Sequence, residues 1–119
     1  MTKVLICDDS MFARQMTSKL LRDAGCEVVG EASDGEEAVA KFDALRPELL
    51  LVDLVMPHVG GADAIRRIRA NHPEARIVVC SAMGQEGMVK EALAAGARGF
   101  VVKPPKAEAL QAALADALR

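Results

Sequence analysis

At 119 residues, with 51% hydrophobic and 27% charged side chains, the chain has the length of one ordinary domain and fits neither a disordered segment nor a membrane protein. A formal net charge of −2, with Lys and Arg scattered and no Trp or Tyr to stack on bases, argues against a nucleic-acid face. No apolar stretch approaches the ~18 residues of a membrane span, and MTKVLIC runs into strand-like sequence without a signal-peptide pattern, so a cytoplasmic protein with no membrane insertion is expected.

Short runs rich in Val, Ile and Leu alternate with stretches of helical period, the signature of βαβ units and a parallel sheet. The first run is KVLICD. After it Ala13, Met16, Leu20 and Ala24 fall at i, i+3, i+7 and i+11 and predict an amphipathic helix, with Gly25 as its C-terminal cap. EVVGEA alternates more and carries Glu27 and Glu31, as an edge strand would. Ser33 and Glu36 have capping-box spacing ahead of Ala38, Phe42 and Leu45, and Pro47 bars continuation. ELLLVD is almost continuously apolar, as a strand covered on both faces should be. Ala64, Ile65 and Ile68 mark a third helix, ended by Pro73. ARIVVCS is the fourth strand run, and Met88, Val89, Ala92 and Leu93 mark a helix that ends near Gly96. GFVVK completes the strands, and Leu110, Leu114, Ala117 and Leu118 mark the fifth helix. Residues 1–119 are therefore expected to form one domain without a linker, as a monomer. Cys7, Cys26 and Cys80 match no zinc or CxxC spacing and read as core thiols, while His58 and His72 read as loop residues.

In a parallel sheet with right-handed crossovers every strand ends on one edge, and ligands bind outside those carboxyl ends. The first strand ends in Asp8-Asp9, the third in Asp53, the fourth in Ser81 and the fifth in Lys103, whereas Ser33-Asp34, after strand two, has the character of a helix cap. If the strand order is 2-1-3-4-5, Asp9 and Ser81 flank Asp53 at one strand spacing, about 4.8 Å, and Lys103 lies two spacings away, roughly 10 Å, within reach of its stem. Carboxylates this close need a cation to stay ionised. Mg2+ suits them, with Asp9 and Asp53 as direct ligands, Asp8 acting through water and the Val55 carbonyl adding an oxygen. A carboxylate is also a nucleophile towards phosphorus; Asp53 is central, with Lys103 and Ser81 placed to stabilise a transferring phosphoryl group.

These residues are Asp8-Asp9, Asp53 with Met56-Pro57 and Gly61 downstream, Ser81-Ala82, and Lys103-Pro104. The set resembles the receiver domains of two-component response regulators, over essentially the whole chain. The resemblance implies an α/β, flavodoxin-like, doubly wound (βα)5 domain with a five-stranded parallel sheet; the order 2-1-3-4-5 is the one known for chemotaxis receivers and is not a product of the spacing. It implies that Asp53 is phosphorylated by a histidine kinase's phosphohistidine, that Asp8 and Asp9 organise Mg2+, and that Ser81 and Lys103 bind the phosphoryl group. The Lys103-Pro104 peptide is expected to be cis. Such a protein is no conventional enzyme, though it catalyses its own phosphorylation and dephosphorylation. The switch maps onto Ser81, moving towards the phosphoryl group, and Phe100, turning inward, so that the face of helix four, strand five and helix five changes.

DGEEAVAKF and VCSAMGQ resemble the chemotaxis branch, which implies a flagellar motor switch protein as partner. The alternatives are a phosphorelay shuttle that serves a histidine phosphotransfer protein and a binding module that works without phosphorylation. Apolar Val55 and Met83, at positions that in the family govern water access, imply slow loss of the phosphate. An FMN carrier of the same fold would place Ser, Thr and Gly donors where this chain has CDDSMFAR. A haloacid-dehalogenase-type phosphatase would have a second Asp two residues after its nucleophile, where Val55 stands.

Overall fold

The computed structural model describes all residues, 1–119. Strands β1 (Lys3–Cys7), β2 (Glu27–Ala32), β3 (Leu49–Asp53), β4 (Ile77–Ser81) and β5 (Gly99–Val102) alternate with helices α1 (Met11–Asp23), α2 (Gly35–Leu45), α3 (Gly61–Asn71), α4 (Glu86–Ala95) and α5 (Ala107–Ala117). The strands form one parallel sheet in the order β2-β1-β3-β4-β5, as expected, with β2 on one edge. No helix is long and apolar enough to cross a membrane.

Two cores follow from strand alternation, because successive side chains point to opposite faces. Leu5, Cys7, Leu50, Val52, Ile77 and Val79 meet Ala38, Phe42, Ile65, Ile68, Val89 and Ala92 from α2, α3 and α4. Val4, Ile6, Leu49, Leu51, Val78, Cys80 and Val101 meet Leu21 of α1 and Leu110, Leu114 and Ala117 of α5. Every residue of β3 and β4 is buried, which is why those runs carry no polar alternation. Continued one step past the strands, the alternation sets Asp8, Asp53 and Lys103 in phase with the α1 and α5 side, and Ser81 in phase with the α4 side.

Helix details depart from the sequence reading in three places. The buried face of α1 is Thr17, Ser18 and Leu21, not the Ala13, Met16, Leu20, Ala24 stripe; Met16 is half exposed. Small hydroxyl side chains let the helix lie close on the sheet, and a count of apolar residues alone overlooks them. Helix α2 is capped by Asp34, whose carboxylate accepts the Glu37 N–H at 2.8 Å, while the Ser33 hydroxyl only meets the Glu37 side chain. The cap therefore sits one residue later than the Ser33 and Glu36 spacing suggested. In α4 only Val89 and Ala92 are buried, and Met88 and Leu93 stay partly in solvent. Gly25 closes α1 as expected, in the left-handed region just after Ala24, with its N–H on the Arg22 carbonyl at 3.0 Å and the Cys26 N–H on the Leu21 carbonyl at 2.9 Å. His58 and His72 lie outside helices and strands, and His72 closes α3 with its ring on Asp43 at 2.7 Å. Cys7 and Cys80 are buried free thiols, each pushed up to about 12 by burial above all; carboxylates, Asp34 foremost, add to this at Cys7, whereas at Cys80 the Lys103 ammonium pulls the other way, and Cys26 is only partly buried.

Helix α2 ends on Arg46 at φ 45°, ψ 61°, a left-handed conformation in which a Cβ is strained. Arg46→Gly is expected to raise stability by about 1 kcal/mol, seen as a higher urea midpoint at unchanged m-value.

Candidate functional site

The carboxyl edge of the sheet is built from the residues that follow each strand. Asp8 leaves β1 with its N–H on the Ala32 carbonyl at 3.0 Å, and its Oδ1 accepts the Ser10 N–H at 2.9 Å. Ser10 caps α1, its Oγ accepting the Ala13 N–H at 3.1 Å. Asp9 is therefore free of capping duty and stands exposed at the rim. Asp53 ends β3 buried, and the Val55 backbone N–H donates to its carboxylate. Gly61 explains how α3 can begin so near: a Cβ there would stand 2.7 Å from the Asp53 carbonyl and 2.9 Å from the Leu54 Cα. The loop between them is also held from the side, by the Gly35 N–H on the Val59 carbonyl at 3.1 Å and by the Cys7 thiol 3.2 Å from the Met56 sulfur.

Lys103 leaves β5 ahead of a cis Lys103-Pro104 peptide, with its N–H on the Ser81 carbonyl at 2.7 Å. Its Nζ lies 3.2 Å from Asp53 Oδ2, as the strand spacing suggested, and 2.5 Å from Asp8 Oδ2. Asp8, Asp9 and Asp53 each offer an oxygen within 4.8 Å of the other two. The acidic cluster is compatible with a metal site, since hard oxygen donors carrying three negative charges face one ammonium. Burial raises the Asp53 carboxyl above the ordinary range; Lys103 pulls it back down and Asp8 pushes it up. Burial works to lower Lys103, but hydrogen bonding and charge from Asp8 and Asp53 outweigh it and leave the ammonium above its usual value.

Ser81 is buried at the end of β4 and opens into a cleft of about 420 Å³ between α4 and β5, with Val89, Leu93, Phe100 and Val102 on its walls. Phe100 is turned outward and 48% exposed, so it is not a fixed core aromatic. The Val55 and Met83 side chains are also exposed, at 50% and 86%.

Residues 4–115 match the response regulator receiver domain family. The chain belongs to that family. Among its relatives, the receiver is 44% identical over its whole length to the chemotaxis protein CheY of Listeria monocytogenes, covering all of both chains. It is 50% identical to the CheY of Thermotoga maritima over 102 residues, 86% of this chain and 85% of that one. Its fold is similar to the structure of a CheX-CheY-BeF3-Mg2+ complex from Borrelia burgdorferi, at a TM-score of 0.89 and 31% identity over 95% of this chain and 86% of that one. These relationships place the receiver in two-component signal transduction and imply a kinase phosphodonor and a downstream target.

Asp8, Asp9, Asp53 and Lys103 converge as the strand ends suggested, while Ser81 borders both the rim and the α4 side. The Lys103–Asp8 pair was absent from the sequence reading. Its only signal was the phase of the two residues, each one position past its strand and on the same face of the sheet as Asp53.

The folded chain holds the Asp53 proton more tightly than the unfolded chain does. Between the ordinary carboxylate value of about 4 and the raised folded value, stability therefore falls as pH rises, and the deficit is complete above both. In Mg-free buffer at neutral pH, Asp53→Asn is expected to melt at a higher temperature than the parent. The gap should close as pH falls towards the ordinary carboxylate value, which calorimetric melts across that range would reveal.

Proposed function

We propose that this receiver accepts a phosphoryl group on Asp53 from a histidine kinase in an Mg2+-dependent reaction and serves cytoplasmic chemotaxis signalling, with a flagellar motor switch protein as target. The supporting observation is the meeting of Asp8, Asp9 and Asp53 within 4.8 Å, with Lys103 on two of them. In this reading Asp9, Asp53 and the Val55 carbonyl hold Mg2+ directly and Asp8 acts through water, since its oxygens already take the Ser10 N–H and Lys103. When bound, the ion neutralises charge on the phosphoryl oxygens.

The chain's own residues do the rest. An Asp53 carboxylate oxygen attacks phosphorus in line, a P–O bond forms, and the P–N bond breaks with its electron pair left on the donor imidazole. Lys103 exchanges one carboxylate partner for a phosphoryl oxygen, and the Ser81 hydroxyl donates to another. Phosphorylation adds only about one negative charge, because Asp53 was already ionised; what is new is the position of the acceptor oxygens. The output must therefore be a population shift. The cleft between α4 and β5 touches both Ser81 and Phe100, so drawing Ser81 towards the phosphoryl group makes room for the ring to enter and reshapes the face of α4, β5 and α5.

Intact mass after incubation with acetyl phosphate and Mg2+ tests the reading. One added phosphoryl group, lost in Asp53→Ala and with a chelator, is the expected outcome. No adduct, together with no response to beryllofluoride, would leave a module that binds partners without phosphorylation. Val55 and Met83 offer no polar group to orient a hydrolytic water, so Val55→Asn is expected to shorten the lifetime of the phosphorylated protein, read as decay of that mass.

A further inference from the structure

Arg14 plays no part in the chemistry described so far. It lies early in α1 with a side chain only 16% exposed, on the line that continues through Thr17, Ser18 and Leu21 to form the buried face of the helix. A charged side chain in that position needs partners, and the guanidinium finds two on different strands. Its Nη1 donates to the backbone carbonyl of Asp8 at 2.6 Å, and its Nε donates to the Glu31 carboxylate of edge strand β2 at 2.9 Å. Glu31 is held in turn, since its backbone carbonyl accepts from Lys41 of α2.

Asp8 sits just past the last paired residue of β1, where the β1–β3 ladder has ended at Cys7 and Val52. Its N–H still reaches β2, on the Ala32 carbonyl at 3.0 Å. Its carbonyl reaches β2 only through Arg14 and Glu31. The two peptides that flank the Asp8 Cα are thus held from the same edge strand, the one before it through its N–H and the one that joins Asp8 to Asp9 through its carbonyl, and the directions of two of the three carboxylates depend on them.

We propose that Arg14, braced by Glu31, is a positioning residue that aims the Asp8-Asp9 pair for divalent cation binding. The inference rests on the reading that this cluster holds such a cation. Arg14 touches neither the carboxylates nor the phosphoryl position; it acts on the backbone that carries them. Positioning and plain electrostatics make opposite forecasts here. Removing a positive charge beside a cation site should tighten binding by Coulomb's law, whereas releasing the peptide should weaken it.

Calorimetric titration of Mg2+ into the full chain, alone and as Arg14→Ala, decides between them. The expected result is affinity weakened about tenfold, the lower end of what outlying supports of metal ligands contribute. It should come with faster hydrogen exchange at the Asp8 amide, whose N–H is on the Ala32 carbonyl, in Mg-free protein, a local loosening that a charge effect would not produce. Affinity unchanged or tightened in Arg14→Ala overturns the inference while leaving the metal site in place. Failure of the parent chain itself to bind Mg2+ overturns the functional reading and the inference with it. Should Arg14→Ala not fold, Arg14→Lys keeps the charge but cannot span both partners. Weakened Mg2+ binding in that variant supports positioning, and parent-like affinity refutes it. Glu31→Gln is expected to weaken binding in the parent and to add nothing once Arg14 is replaced; an equal effect in both backgrounds would show that Glu31 does not act through Arg14.

Discussion

Three carboxylates gathered around one lysine that pairs with two of them is the constraint around which the carboxyl edge of this sheet is arranged. At about 5 Å and an effective dielectric near 20, each like-charged pair repels by about 3 kcal/mol, a sizeable part of the net stability of a small domain. Lys103 relieves two of the three carboxylates, and Asp9 relieves itself by facing water. What remains falls on Asp53, buried and raised above its ordinary value. Such a cluster persists because the strands beneath it are anchored independently. β3 and β4 are buried along their whole length, and β1 is buried from Val4 to Cys7. The apolar runs hold the strand ends in register, and the charges are carried by those ends.

The same alternation that builds two cores divides the site between two faces. Asp8, Asp53 and Lys103 follow the phase of the α1 and α5 side, and Ser81 follows that of the α4 side. The ion pairs of the rim therefore lie on one layer and the open cleft on the other. The loop after Asp53 is fastened between them. Gly61 allows α3 to start against the Asp53 carbonyl, and Gly35 allows Val59 to close on the start of α2, where a Cβ would stand 2.4 Å from the Val59 carbonyl. A rim held this firmly on the α2 and α3 side leaves the α4 and β5 side, with its cleft, as the place where a change can be accommodated.

How much of this could be read from the sequence depended on the physics involved. Strand order aside, the sheet was legible because burial on both faces writes itself as unbroken Val, Ile and Leu, and Asp53 stood out as the carboxylate that ends such a run. Helix faces were less legible where small polar residues pack. Thr17 and Ser18 carry no hydropathy signal, yet they are the residues on which α1 lies. Caps were read to within one residue, because Ser33 and Asp34 are both good caps and only backbone geometry separates them. The pairing of Lys103 with Asp8 and the reach of Arg14 across two strands were not legible. Both join positions distant in sequence, through side chains long enough to choose among several partners.

The outward Phe100 bears on how a small chemical change could be read by another protein. Its ring is about half exposed, so turning it fully inward would gain only part of the roughly 1.5–3 kcal/mol that burying a Phe side chain provides. Holding the ring in one rotamer and tightening Ser81 both offset that gain. A hydrogen bond from Ser81 to a charged phosphoryl oxygen contributes about 1.5–3 kcal/mol, the same order as the remaining difference. Neither term dominates, so the proposed phosphorylation would meet an outward ring and make an inward one competitive. A wholly buried aromatic at this position would have removed the balance, and a polar one would have removed the driving force; an exposed Phe beside an open cleft retains both.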